Sequence, residues 1–114
     1  MRVLVIGAGR TGARVIQQLK KNPKIKIVTA DPREEIYAVD EGIIASVDIE
    51  EMLTPLNLEQ VFAEAGPDLV LMAMPTEDMG LGQAPGTDIL ADALREEIAA
   101  IADVPVIEVA RIAR

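Results

Sequence analysis

Residues 1–19 read MRVLVIGAGRTGARVIQQL, and this stretch decides the fold. Val3 to Ile6 form a short continuous apolar run, the pattern of a strand buried on both faces. Gly7, Gly9 and Gly12 follow at once, with the spacing G-x-G-x-x-G. Ala13, Ile16 and Leu19 then recur at three-residue steps, which predicts an amphipathic helix of about ten residues stopped by Asn22-Pro23. Strand, glycine-rich turn and helix in that order make a phosphate-binding corner. Gly7 would permit the tight turn out of the strand, Gly9 would let backbone approach a pyrophosphate, and Gly12 would let the helix pack against the strand. The helix N-terminus would then present unpaired N–H groups and a partial positive charge to the phosphates. Arg10 and Thr11 stand where their side chains could add contacts.

Outward from this corner, "IKIVTA" (Ile25 to Ala30) reads as a second strand ending at Asp31-Pro32. "REEIYAVDEG" is either a short helix closed by Gly42 or an irregular connection. "IIASV" (Ile43 to Val47) reads as a third strand. "NLEQVFAEAG" carries a capping Asn57 with Gln60 three residues on and Gly66 as a stop, hence a helix. "DLVLMAM" (Asp68 to Met74) reads as a fourth strand, and "PTEDMGLGQAPG" as a Gly- and Pro-rich loop. Leu90, Leu94, Ile98 and Ile101 predict a long helix from Thr87 or Asp88 to about Ala102. "VPVIEVA" (Val104 to Ala110) reads as a fifth strand.

Strands alternate with helices, and the strands lack polar alternation. The expected fold class is therefore α/β: a three-layer, Rossmann-like, doubly wound parallel sheet of about five strands in the order 3-2-1-4-5. With no repeat or linker, residues 1–114 read as a single domain.

The charge balance narrows the partners. A formal net charge of −8 argues against nucleic acid and anionic lipid, which are themselves negative. No apolar run approaches the ~20 residues of a membrane span, and no charged-then-apolar leader opens the chain, so it reads as soluble and cytoplasmic. Cysteine and histidine are both missing, which removes thiolate chemistry and the commonest metal ligand and general base. The cluster Lys20, Lys21, Lys24 and Lys26 reads as a solvated helix and strand end.

Asp31, at the tip of the second strand, could accept hydrogen bonds from an adenosine ribose diol. A 2′-phosphate there would face like charge, which favours NAD+ or NADH over NADP. Arg33 pulls the other way, since a nearby guanidinium accommodates a phosphate. AMP-type nucleotides, and a corner that binds nothing, remain alternatives. Met72 and Met74 read as core fillers of the fourth strand. Met74 and Pro75 also open the loop over the C-terminal sheet edge, and both count among the candidate cofactor contacts. Glu77, Asp78 and Asp88 in and after that loop could hold a cation, but an acidic surface loop is the simpler reading; no metal site is assigned.

With "VLVIGAGRTGARVIQQL" followed by Asp31, the chain resembles the NAD-binding TrkA-N (RCK or KTN) domains that regulate potassium transport. "DLVLMAMPTEDMG" and "DILADALREEIAAIADVPVIEVAR" look like the fourth strand, long helix and fifth strand of such domains. The resemblance implies Gly7, Gly9, Arg10, Thr11 and Gly12 as phosphate loop and Asp31 as ribose ligand. It also implies Asp48 near the adenine, in place of the family's Gly-Asp pair. "GLGQAPGT" departs from the family pattern. A weaker second resemblance, carried by "DLVLMAMP", is to the N-terminal halves of saccharopine-dehydrogenase-like proteins. The first resemblance implies a stand-alone NAD(H)-binding regulatory module that forms a homodimer or contacts a transporter or enzyme subunit. The alternative is a small oxidoreductase subunit completed by another chain, because dehydrogenases of this fold add a second, substrate-bearing region and this sequence stops after its fifth strand.

Overall fold

The computed structural model describes residues 1–54, 56–74 and 85–109, with backbone alone at Thr87 and Asp88. The apolar run of the opening stretch becomes β1 (Arg2–Ile6), and the helix after the glycines is α1 (Arg10–Leu19). Then come β2 (Lys26–Ala30), α2 (Tyr37–Asp40), α3 (Leu58–Ala65), β3 (Leu69–Met72), α4 (Thr87–Ile101) and β4 (Val106–Glu108). The strands pair in the order β2-β1-β3-β4. Every pairing is parallel.

Two apolar clusters separate the sheet from its helices. Val3 and Val5 of β1 face α1 through Ala13, Val15 and Ile16, with Ile36 and Ala38 beside them. Leu4 and Ile6, on the opposite side of the same strand, meet Leu58 and Val61 of α3 and Ile98 of α4. This is why β1 is apolar at every position from Val3 on: alternate side chains enter different cores. Each fully buried Leu, Ile or Val contributes about 1.5–3 kcal/mol. The three layers are thus helix, parallel sheet, helix.

The expected third strand is corrected. Ile43 to Val47 forms no strand; the N–H groups of Ile43 and Ile44 both donate to the Ala38 carbonyl, at 2.9 and 3.2 Å, folding the chain back onto α2. Its apolar side chains pack on the α1 side of the core instead. The place beside β2 is taken two residues past that run, where Ile49 makes a single parallel bridge to Ala30. Ile49 N–H donates to the Thr29 carbonyl and Asp31 N–H donates to the Ile49 carbonyl, both at 3.0 Å. Beside these two contacts, the Thr29 N–H goes to the Asp48 carboxylate at 2.9 Å. Among the described residues the sheet thus has four strands and one bridge instead of five strands, in the expected spatial order.

Other boundaries shift for local reasons. "REEIYAVDEG" resolves as the short α2, with Gly42 at φ +72°. Gly66 stops α3 in the left-handed region at φ 54° and ψ 48°. Asn57 holds the N-cap position of α3, but its side chain turns away from the helix: Oδ1 accepts the Thr54 N–H at 2.8 Å and Nδ2 donates to the Met52 carbonyl at 2.9 Å. Along α4 the inward stripe runs Ala91, Leu94, Ile98, Ile101, and Leu90 is 58% exposed. Steps of four residues drift about 40° per step around a helix of 3.6 residues per turn, so Leu90 falls off a stripe that alternates three and four.

Candidate functional site

All strand C-termini lie on one edge of the sheet. There α1 departs to one face, while α3 and α4 cover the other. The crevice between β1 and β3 is the switch point, where open α/β sheets hold ligands. The β1–α1 turn stands at that crevice. Gly7 has φ +103°, and a Cβ there would lie 2.9 Å from the Ala73 carbonyl oxygen and from Met74 Cβ. A Cβ on Gly12 would lie 1.8 Å from the Gly7 carbonyl oxygen. Both glycines are sterically required, one by backbone conformation and one by close approach.

Gly9 is the N-cap of α1, with extended backbone at φ −78° and ψ −155°. The helical ladder starts with Ala13 N–H donating to the Gly9 carbonyl at 2.8 Å. The preceding N–H groups have no partner within the helix. No side chain caps them, and the first turn holds no acidic residue. Arg10 is exposed at this first turn, its guanidinium carbon 5.2 Å from the centre of the Tyr37 ring. That contact is a cation–π pair which orients the side chain. Thr11 turns inward and is buried.

Asp31 is fully buried, and its carboxylate is densely bonded. Oδ2 accepts the Ala8 N–H at 2.9 Å, and Oδ1 accepts the Arg33 backbone N–H at 3.0 Å. The Arg33 side chain closes the arrangement, Nε to Oδ1 at 2.9 Å and a terminal nitrogen to Oδ2 at 2.5 Å. Burial alone would raise the Asp31 pKa, but the Arg33 side-chain bond, the Ala8 and Arg33 N–H groups and the Arg33 charge outweigh it. The carboxyl is held below its ordinary value. The acid at the tip of β2 thus ties the glycine turn to the start of the next loop.

The remaining candidates fall on both sides of this corner. Asp48 accepts from both the N–H and the hydroxyl of Thr29, at 2.9 and 3.2 Å, along the outer edge of β2. Met74 abuts the glycine turn and also lines a small, solvent-open apolar cleft. That cleft is bounded by Ile6, Ala30 and Met72 at the strand tips, by Pro32, and by Leu53 and Leu94. It is apolar and sits beside the glycine turn on the α3–α4 side. Pro75, Glu77 and Asp78 lie outside the described residues. Among the described residues no cluster of acidic side chains could hold a metal ion. No described helix is long and apolar enough to cross a membrane.

Ala8, Thr29 and Tyr37 carry weight that sequence reading missed. The Asp31-Pro32-Arg33 string did hold one signal, because an Asp accepting the N–H two residues on is the Asx-turn pattern. Nothing in the sequence marks Tyr37 as the partner of Arg10.

These features define a Rossmann-type α/β fold, with a glycine corner suited to a nucleotide at its switch point. No protein-family model matches the chain, and no curated protein sequence does. Among solved structures it is similar to the apo form of a saccharopine dehydrogenase (L-Glu forming) from Saccharomyces cerevisiae, with a TM-score of 0.61 at 18% identity. The similarity covers 98% of this chain and 22% of that one, so the present chain spans about a fifth of the enzyme's length. At that identity the likeness concerns the fold.

Proposed function

We propose that this chain is a nucleotide-binding module that holds an adenine dinucleotide of the NAD(P) class at the β1–α1 corner. One observation carries the reading: the start of α1 is free of any side-chain cap or acidic residue where it opens over the C-terminal sheet edge. In a protein of net charge −8, attraction for an anion has to be local. The helix terminus and Arg10 supply it here. The residues fit the phosphate part of such a group: backbone N–H donors for a pyrophosphate and no Cβ on Gly9 to block approach. A bound pyridine nucleotide would supply hydride chemistry; the residues described hold and orient it.

In this reading the module is regulatory, as the TrkA-N resemblance implies, and its loaded state is sensed by a second copy or by a partner protein. Such coupling is as large as the difference in ligand affinity between the two arrangements. Calorimetric titration with NADH, NADPH and AMP tests the reading, with Gly9→Val as the control. Silence from all three ligands ends it. Binding that changes neither assembly nor partner contact ends the regulatory part alone.

A second reading is favoured by the dehydrogenase neighbour: the chain is the nucleotide-binding part of an oxidoreductase whose substrate residues lie elsewhere. Turnover of NAD(P)H on addition of a complementing chain would support that reading over the first.

A further inference from the structure

Charge is divided along this chain and, in the fold, across the sheet. Residues 1–47 hold eight basic and five acidic side chains, whereas residues 48–109 hold fourteen acidic ones and a single base, Arg95. Arg95 is engaged by Asp92 and Glu108. The helix α1 carries only basic charge, and α3 and α4, on the other face, are acidic but for Arg95.

Two features at the N-terminal edge of the sheet concentrate this division. The first is the turn between α1 and β2, where residues 20–24 are all exposed. Asn22 Oδ1 accepts the Lys24 N–H at 3.0 Å, and the Asn22 carbonyl accepts the Ile25 N–H at 3.1 Å. With Pro23 between them, these bonds preform the turn. Lys20 donates to the Ile43 carbonyl, which leaves Lys21, Lys24 and Lys26 as its outward charges. Among the described residues none of the three is ion-paired with a carboxylate.

The second feature is a solvent-open groove between α3 and the C-terminal end of α4. On α3 it takes Glu59, Phe62, Ala63 and Gly66, spaced as one helical face. Half-buried Phe62 and Ile101 form its apolar floor, and exposed Glu59 and Asp103 stand at its sides. Neither helix has a basic residue in its last turn, so the C-terminal carbonyls of both add partial negative charge here.

We propose that this groove receives the 20–26 turn of a second copy of the chain, and that the exchange is reciprocal, giving a two-fold dimer. The proposal goes beyond the nucleotide reading and does not rest on it: the glycine corner lies on the opposite edge of the sheet and stays open. Two copies, each with a net charge of −8, repel in most orientations. Attraction arises where a basic surface meets an acidic one, so charge selects the orientation as well as the partner. In the dimer Lys21 and Lys24 face Asp103 and Glu59, and their methylene stems cover Phe62 and Ile101. Docking a preformed turn costs little conformational entropy. Two-fold symmetry then makes the contact twice.

The test is sedimentation of the whole chain over a range of concentrations, for wild type, K21E/K24E, E59K/D103K and an equimolar mixture of the two variants. All four positions are exposed, so both variants are expected to fold, which circular dichroism checks. The wild type is expected to dimerise, and to do so more weakly as salt is added. Each variant alone loses both contacts, and its dimer dissociation constant rises by about tenfold or more. In the mixture every turn again meets a groove of opposite charge, and heterodimers form. A folding defect does not produce that recovery. A wild type that stays monomeric overturns the proposal and leaves the groove to a basic segment of another protein. Dimers that neither variant weakens overturn it too, and so do weakened variants that fail to recover on mixing.

Discussion

Asp31 Oδ2 lies 2.9 Å from the Ala8 nitrogen, so the acid at the tip of β2 is a strut beneath the glycine turn. The same carboxylate anchors Arg33. Its removal leaves the buried Ala8 N–H without its acceptor and takes from the Arg33 guanidinium its two bonds to the carboxylate. Asp31→Ala is expected to lower stability by about 3 kcal/mol, the scale for breaking one side of a buried pair. Chemical denaturation checks this. A loss of ligand binding in that variant would mix two effects, which makes Gly9→Val the better probe of the ligand.

The same strut predicts a pH dependence. The folded-state pKa of Asp31 is lowered from 3.8, so its ionised form is favoured in the native protein. That stabilisation is fully present above the unfolded value and is lost as pH falls through the folded one. Thermal melts taken from about pH 7 down to about pH 2 (a range set by the ordinary carboxylate window) should show a decline below about pH 4 that is reduced in Asp31→Asn. An identical acid profile in the two proteins would remove Asp31 from the account.

The glycines of the corner should separate by function. Gly12→Ala places a Cβ 1.8 Å from the Gly7 carbonyl oxygen, and no side-chain rotation relieves a clash between backbone atoms. A loss of at least about 4 kcal/mol is expected, most of the stability of a domain at the low end of the ordinary range of about 5–15 kcal/mol. Gly9 sits at φ −78°, which any residue adopts, so Gly9→Val should fold and fail to bind a dinucleotide. Circular dichroism and titration on both variants distinguish the two roles.

The edge of β2 makes a prediction of its own. Thr29 N–H is bonded to the Asp48 carboxylate at 2.9 Å. In Asp48→Ala that amide loses its acceptor, and its hydrogen exchange should accelerate by about tenfold or more, the equivalent of a bond worth about 1.4 kcal/mol. The amide of Asp31, paired with the Ile49 carbonyl, should change less.

What could be read from the sequence, and what could not, divides by the range of the forces involved. Gly7 and Gly12 were legible because a strand–turn–helix corner is a local geometry with fixed spacing. The stripe from Ala13 to Leu19 and the stop at Gly66 were legible for the same reason. Ile43 to Val47 was misread as a strand because a short apolar run fits a strand or a packed irregular segment equally well. Its fate was decided by the Ala38 carbonyl, which accepts from two N–H groups of that run. For the site, the chain showed a carboxylate after β2 and an arginine two residues on, but not that the second would close over the first. That closure depends on a turn around Pro32 and on the Ala8 N–H arriving from the β1–α1 turn, 23 residues away in sequence. The Arg10–Tyr37 contact was hidden likewise, since it joins elements that only the finished sheet brings together.

Asp48 gives the sheet a polarity across its width as well as along its strands. A carboxylate and one backbone carbonyl stand in for a strand beside the C-terminal end of β2, and they satisfy the Thr29 and Asp31 N–H groups without presenting a new row of donors. A template needs a repeating ladder, and a single side chain offers none to copy. The C-terminal end of the β2 margin is therefore a terminus: another chain cannot pair there without first dislodging Asp48 and Ile49.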